Sequence, residues 1–232
     1  LSGGDGSRLE KCVAEMESVL DSLSEFAHGV CCIGELSPRS YARIVSTGEI
    51  LSSMIIAAAM NESGLATRWL DARKMILTDC NYISASPDLA TTEANVKRLV
   101  SEASKGVSVI ITQGFIASAS DGATSVLGFE GSDYSAAIFG MALDASRVEI
   151  WTDVDGIRSA DPRIVNDTVC IRNVSYDEAS EMAFLGARVL HPLTIEPARK
   201  KNIPVYVLNS QNPSCKGSKV SVEKNCGSAK TI

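Results

Sequence analysis

Three short stretches of this sequence place chemically useful residues at turns. The first, Thr112-Gln113-Gly114-Phe115, follows a β-branched run, and Gly114 lets the chain turn tightly there. The second is Leu127-Gly128-Phe129-Glu130-Gly131-Ser132-Asp133-Tyr134. Two glycines feed the start of a helical pattern, so unpaired backbone N–H groups converge where a carboxylate or phosphate could sit. A glycine turn capped by Ser132 or Asp133 explains the same residues without a ligand. The third is Trp151-Thr152-Asp153-Val154-Asp155-Gly156, continuing through Arg158 to Ser159-Ala160-Asp161-Pro162-Arg163. It gathers three acids, a threonine and two arginines after a strand pattern. In open α/β sheets ligands bind beyond the strand C-termini, which suits a nucleotide or a metal. A polar Asx-turn loop is the alternative.

The elements that must position these turns are readable from periodicity. Residues 1–7 read as a flexible lead, and Arg8 to Gly29 as an amphipathic helix. Ser37-Pro38 starts a new segment. Ser46 to Met60 reads as a nearly apolar, buried helix, and Ala66 to Leu70 as a short strand. Thr91 to Lys105 is expected to be helical, with Thr91 or Thr92 as its N-cap. Val107 to Thr112, Ala123 to Leu127, Arg147 to Thr152 and Ile203 to Leu208 read as strands. Ser132 to Ala145, Tyr176 to Phe184 and Leu193 to Lys201 read as helices. Residues 209–232 are expected to form an edge and then a linker. This alternation predicts an α/β fold with a mostly parallel sheet.

Composition excludes several function classes. The 232 residues carry a net charge of −6 with no basic stripe, so a nucleic-acid partner is not expected. The longest apolar run, Met54 to Met60, is too short to span a bilayer, and no signal-peptide pattern is visible. Seven cysteines, an odd number, show no CxxC, and His28 and His191 read as remote from any cysteine pair. That disfavours zinc and predicts reduced thiols in a cytoplasmic protein. Gly3-Gly4-Asp5-Gly6 follows no strand and reads as a mobile terminus. The Rossmann, P-loop and protein-kinase signatures are all missing.

The strings LGFEGSDYSAAIFG, EIWTDVDGIRSADPRIV and SYDEASEMAFLGARVLHPLTIEPARKKNIPVYVLNSQNPSCKGS resemble the catalytic domain of aspartate kinases, members of the amino-acid kinase family. Upstream, SPRSYARIVSTGEILSS and ATRWLDARK look like that family's Gly-Glu helix and Trp-x-Asp strand. The likeness covers roughly residues 36 to 220.

The resemblance implies a three-layer αβα sandwich around a mostly parallel sheet. It implies transfer of the ATP γ-phosphoryl, with Mg²⁺, to the side-chain carboxylate of L-aspartate. The product, 4-phospho-L-aspartate, leads towards lysine, threonine and methionine. Carried over by position, Glu49 would meet the substrate amino group, and Gly131, Ser132 and Asp133 would hold the aspartate and organise cations. Thr152, Asp153, Arg158 and Arg163 would serve the nucleotide, together with Arg188 and Val189. Residues 1–220 would form the catalytic domain and 221–232 a linker towards amino-acid-binding regulatory domains, in whose presence a homo-oligomer is expected.

Several positions depart from the pattern. The family opens with a strand of the type Lys-Phe-Gly-Gly-Thr-Ser, whose lysine bridges the transferring phosphoryl. This sequence starts at Leu1, without Met, after that segment. The chain alone is therefore expected to be a weak or inactive kinase. Phe129 stands where the family has an arginine that grips the substrate carboxylate. Arg188 stands where lysine is frequent, and Arg158 where tyrosine is common. A kinase for another amino acid, and a silent domain that only binds or assembles, are the alternatives.

Overall fold

A computed structural model describes residues 5–160, 164–165, 167–184, 190 and 192–223. The chain divides into two compact units, the first ending at Ser132 and the second beginning at Asp133.

The first unit opens with α1 (Asp5–Ile33), so residues 5–7, expected in a flexible lead, are helical. α2 (Pro38–Glu62) starts where Ser37 caps it, its hydroxyl accepting from Ser40 N–H at 3.1 Å, with proline in the first turn. By length and composition α2 could cross a membrane. It instead buries Ala42, Ile50, Met54 and Ala57 on one face and leaves Ile55 and Ile56 exposed. The expectation of an entirely buried helix is thus corrected to a half-buried one. Arg43 ties α2 to α1, stacking 4.0 Å over the Phe26 ring and donating to Ser22. On α1 a single helical turn sets His28 3.6 Å from Cys32, so His28 is not remote from a cysteine. Among the described residues no cluster of three or more ligating side chains could hold a metal ion.

β1 (Thr67–Trp69) is followed by a 3-10 turn (Ala72–Lys74), β2 (Leu77–Thr78) and α3 (Leu89–Ala103). Asp88, rather than Thr91 or Thr92, caps α3 by accepting from Ala90 N–H and Thr91 N–H. The Thr91 hydroxyl donates to the Asp88 carboxylate. Thr92 is buried and accepts from the Leu77 N–H. β3 (Val109–Ile111) pairs parallel with β1. β4 (Ile116–Ala119) runs parallel to β2 and antiparallel to β5 (Thr124–Val126).

Behind the ends of β1 and β3 lies a buried polar brace. Gln113 donates to the Ser53 hydroxyl at 2.7 Å and accepts from Ala72 N–H at 2.8 Å. Trp69 Nε1 also donates to Ser53, at 2.9 Å, and Ser53 donates to Ile50 C=O. Ser53→Ala takes the shared acceptor from the partly buried Trp69 Nε1 and leaves Gln113 Nε2 only its longer bond to Leu70 C=O, at 3.3 Å. We expect it to lower stability by about 1–3 kcal/mol, measured by urea unfolding. A loss inside the experimental error would contradict the brace.

The second unit contains α4 (Gly131–Ala142), whose first two residues close the first unit, then β6 (Val148–Thr152), β7 (Asn173–Ser175), α5 (Tyr176–Phe184), α6 (Pro192–Lys200), β8 (Val205–Asn209) and β9 (Ser218–Ser221). The strand order is β6-β8-β9-β7. β9 therefore has neighbours on both sides and is not the edge that the sequence suggested. β6 pairs parallel with β8, and β7 with β9, while β8 and β9 are antiparallel. Inward positions alternate along β8, with Val205 and Val207 on the core side beside Val148, Ile150 and Val220. Tyr176 is buried among them and donates to Ile203 C=O, and burial pushes its hydroxyl up to about 12. Gly217 (φ +62) is required because a Cβ there would lie 2.0 Å from Val207 C=O. The expected α/β class with mostly parallel pairing is the one found.

Candidate active site

In the first unit two turns pack on each other. Gly114 follows β3, and a Cβ on it would sit 2.8 Å from the Ser132 Cα. Gly131 answers it, since a Cβ there would sit 2.8 Å from the Phe115 ring. Backbone bonds lock the pair: Leu127 N–H donates to Phe115 C=O at 2.8 Å, and Phe115 N–H to Gly131 C=O at 3.3 Å. Gly128 (φ +82) and Glu130 (φ +52) bend the chain back so that α4 starts at Gly131. Glu130 is a costly residue for that conformation, and its Oε2 is buried with no hydrogen-bond partner among the described residues.

The start of α4 therefore presents its N–H groups, the exposed Ser132 and the half-buried Asp133 in its first turn. This suits binding of an anion. Phe129 is 76 % exposed, so its ring does not belong to the core. Glu49 is half-buried on α2, one turn before Ser53, and its carboxylate has no partner among the described residues.

In the second unit the parallel register sets Thr152 at the end of β6 opposite Asn209 at the end of β8. The loops that leave these ends meet. Thr152 hydroxyl and Asp153 carboxylate are 3.1 Å apart, and Ser210 N–H donates to Thr152 C=O. Asp155 accepts from Asn209 at 2.8 Å and from Asn212 at 3.4 Å. Asn209 and Asn212 were missed in the sequence, although a polar run directly after a strongly apolar strand is a usable signal. Gly156 (φ +114) lies so near β9 that a Cβ would be 2.5 Å from the Ser218 hydroxyl.

Arg158, assigned to the nucleotide from sequence, spends its guanidinium locally. Nε donates to the Thr168 hydroxyl at 2.7 Å and Nη2 to Thr168 C=O at 2.9 Å. Arg163, Arg188 and Val189 lie outside the described residues.

The Asn209 amide holds the Asp155 carboxyl below the usual range. Burial works against it, while Asn212 and the Arg158 charge add to it. A depressed folded-state pKa stabilises the fold above the ordinary carboxylate value of about 4 and loses that contribution as pH falls through the lowered value. Asp155→Asn should therefore flatten the acid limb of a plot of melting temperature against pH. Parallel limbs for the two proteins would exclude this role.

Residues 7–209 match the model of the amino acid kinase family. The chain belongs to that family. Lysine-sensitive aspartokinase 3 of Escherichia coli is 39 % identical over 207 residues, covering 89 % of this chain and 45 % of the relative. Chloroplastic aspartokinase 3 of Arabidopsis thaliana is 36 % identical over 212 residues, covering 90 % of this chain and 38 % of the relative. Among solved structures, E. coli aspartokinase III in complex with aspartate and ADP aligns with a TM-score of 0.85 and 38 % identity, over 92 % of this chain and 47 % of that one. The chain thus spans less than half the length of these relatives. Its α/β arrangement is that of the amino acid kinase fold.

Proposed function

We propose that this chain is the catalytic part of an aspartate kinase, which moves the ATP γ-phosphoryl to the side-chain carboxylate of L-aspartate. The observation that carries this is the likeness, at TM-score 0.85, to an aspartokinase solved with aspartate and ADP. Two local features support the reading. A glycine-bounded turn opens α4, and a Thr-Asp pair sits at the C-terminal end of β6.

In this proposal Gly131, Ser132 and Glu49 hold the aspartate. The backbone donors at the start of α4 face negative charge, and the Glu49 carboxylate offers the substrate ammonium group an acceptor. Thr152 and Asp153 meet the nucleotide, with Arg163, Arg188 and Val189 assigned by resemblance alone. Arg158 would act through Thr168, stiffening the loop that follows.

Mg²⁺ fits the donor set. Asp133 and Asp153 would each offer hard carboxylate oxygens to such an ion. When bound, such an ion neutralises charge on the phosphates. The chain's own work is positioning: Asp133 orients the cation, and the α4 N–H groups stabilise negative charge. A cytoplasmic setting and a homo-oligomer with regulatory domains belong to the same proposal.

The test is an acceptor panel, run on a version that carries the family's N-terminal lysine strand, in which ADP release is followed with L-aspartate, L-glutamate and N-acetyl-L-glutamate. Release that depends on aspartate alone supports the proposal. ATP and ADP binding without release for any acceptor favours a silent binding domain, the reading that Phe129 supports.

A further inference from the structure

We propose that Cys170 and Cys215 form a redox-responsive pair, whose closure into a disulfide loosens the loop carrying Thr152 and Asp153. Both thiols donate to one acceptor, the backbone carbonyl of Asp155, from 3.2 Å and 3.7 Å respectively. That shared oxygen keeps the two sulfurs within about 7 Å of each other, so side-chain rotation must supply most of the approach to the bonded distance of about 2 Å. Neither cysteine is locked in the core, since both are half-buried and free.

They are far apart in sequence and arrive on separate segments. Cys170 bridges to Arg158 ahead of β7, and Cys215 closes the turn that begins at Asn212 between β8 and β9. The other contacts are weak and exchangeable. Cys170 lies 3.6 Å from the Ser218 hydroxyl and 3.8 Å from Gly217 C=O. Arg172 donates to Cys215 Sγ across 3.8 Å.

The chemistry needs a two-electron oxidant, and hydrogen peroxide is the class we assign. One thiolate attacks a peroxide oxygen, breaking the O–O bond, releasing hydroxide and leaving a sulfenic acid. The second thiol displaces that oxygen as water and forms the S–S bond. Two thiols and one peroxide thus give one disulfide and two waters.

The consequence follows from the hydrogens. A thiol donates and a disulfide cannot, so both S–H bonds to the Asp155 carbonyl disappear together. That carbonyl sits two residues after Asp153, in a loop with little slack because Gly156 is pressed against Ser218. The functional half of the inference rests on the nucleotide role proposed for Thr152 and Asp153, and the covalent half does not.

The experiment compares the reduced protein with the same protein after hydrogen peroxide. Peptide mapping without reduction should find a Cys170–Cys215 cross-link that dithiothreitol reverses. ADP titration should show affinity falling by about tenfold or more on oxidation. The double variant Cys170→Ser, Cys215→Ser keeps hydroxyl donors at both places. It should bind ADP like the reduced protein and ignore peroxide. Oxidation of the exposed Cys31 and Cys32 with no 170–215 cross-link overturns the pair. A complete cross-link with unchanged ADP affinity overturns its control of the loop. Failure of the reduced protein to bind ADP at all instead overturns the nucleotide assignment and the functional half with it, leaving the peptide map to decide the covalent half.

Discussion

In a version that carries the family's N-terminal lysine strand, Asp133→Asn should remove phosphoryl transfer while the protein stays folded. Asp133 lies in the first turn of α4, directly after Gly131 and Ser132, where a carboxylate can orient the cations that accompany the transferring group. Groups that stabilise charge in a transition state typically account for about 10²–10³ in rate, and a loss of that size or larger is expected. Asn is nearly isosteric and serves comparably in a helix first turn. What remains is the lost attraction to the helix dipole, about 0.3–1 kcal/mol. Rate and melting temperature measured on one preparation separate the two roles. A variant that keeps its rate within a few-fold and loses only stability makes Asp133 a structural residue of the helix start.

In the same background, Phe129→Arg should strengthen aspartate binding. The residue sits between Gly128 and Glu130 in the turn that opens α4, and its ring is 76 % exposed. A guanidinium there remains in contact with water, so no unpaired charge is buried and stability should move by no more than about 0.5 kcal/mol. A charge-assisted hydrogen bond to the substrate carboxylate contributes about 1.5–3 kcal/mol. That predicts a fall in the aspartate Michaelis constant of roughly 10- to 150-fold. The Mg-ATP constant should hold, because the proposal assigns the nucleotide to Thr152 and Asp153 and not to this turn. Unchanged aspartate binding in a stable variant removes the carboxylate-grip account of this position. It also strengthens the reading of the chain as a binding domain.

The sequence made the strongest elements plain and hid the weakest. Val107–Thr112, Arg147–Thr152 and Ile203–Leu208 are β-branched or apolar runs; the first two contain a strand, and the third holds all but the last residue of β8, Asn209. Ile116–Ala119, Asn173–Ser175 and Ser218–Ser221 are short and rich in small or polar residues, and they become strands because neighbours supply their hydrogen bonds. Asp88 outcompetes Thr91 as a cap because its carboxylate accepts from two backbone N–H groups at once. At the candidate site, the glycine turn before α4 and the Thr152-Asp153 pair were legible as local strings. The role of Gln113 was not, because its partners Ser53 and Ala72 are distant in sequence. Arg158 is placed at the nucleotide by the family resemblance alone, and its Nε and Nη2 donate to Thr168, ten residues on, a pairing that no local spacing signals. Cys170, Cys215 and Asp155 meet only through the order of β6, β8, β9 and β7, which no local spacing encodes.

The most direct measurement captures the chemical bond that the proposed reaction makes. A version of the protein that carries the family's N-terminal lysine strand is incubated with Mg-ATP, L-aspartate and hydroxylamine, which converts an acyl phosphate into a stable hydroxamate. The proposal predicts the side-chain hydroxamate of aspartate, formed only when both ATP and aspartate are present and in step with ADP. Formation of a hydroxamate from a different amino acid, or ADP release with no hydroxamate from aspartate, would contradict it.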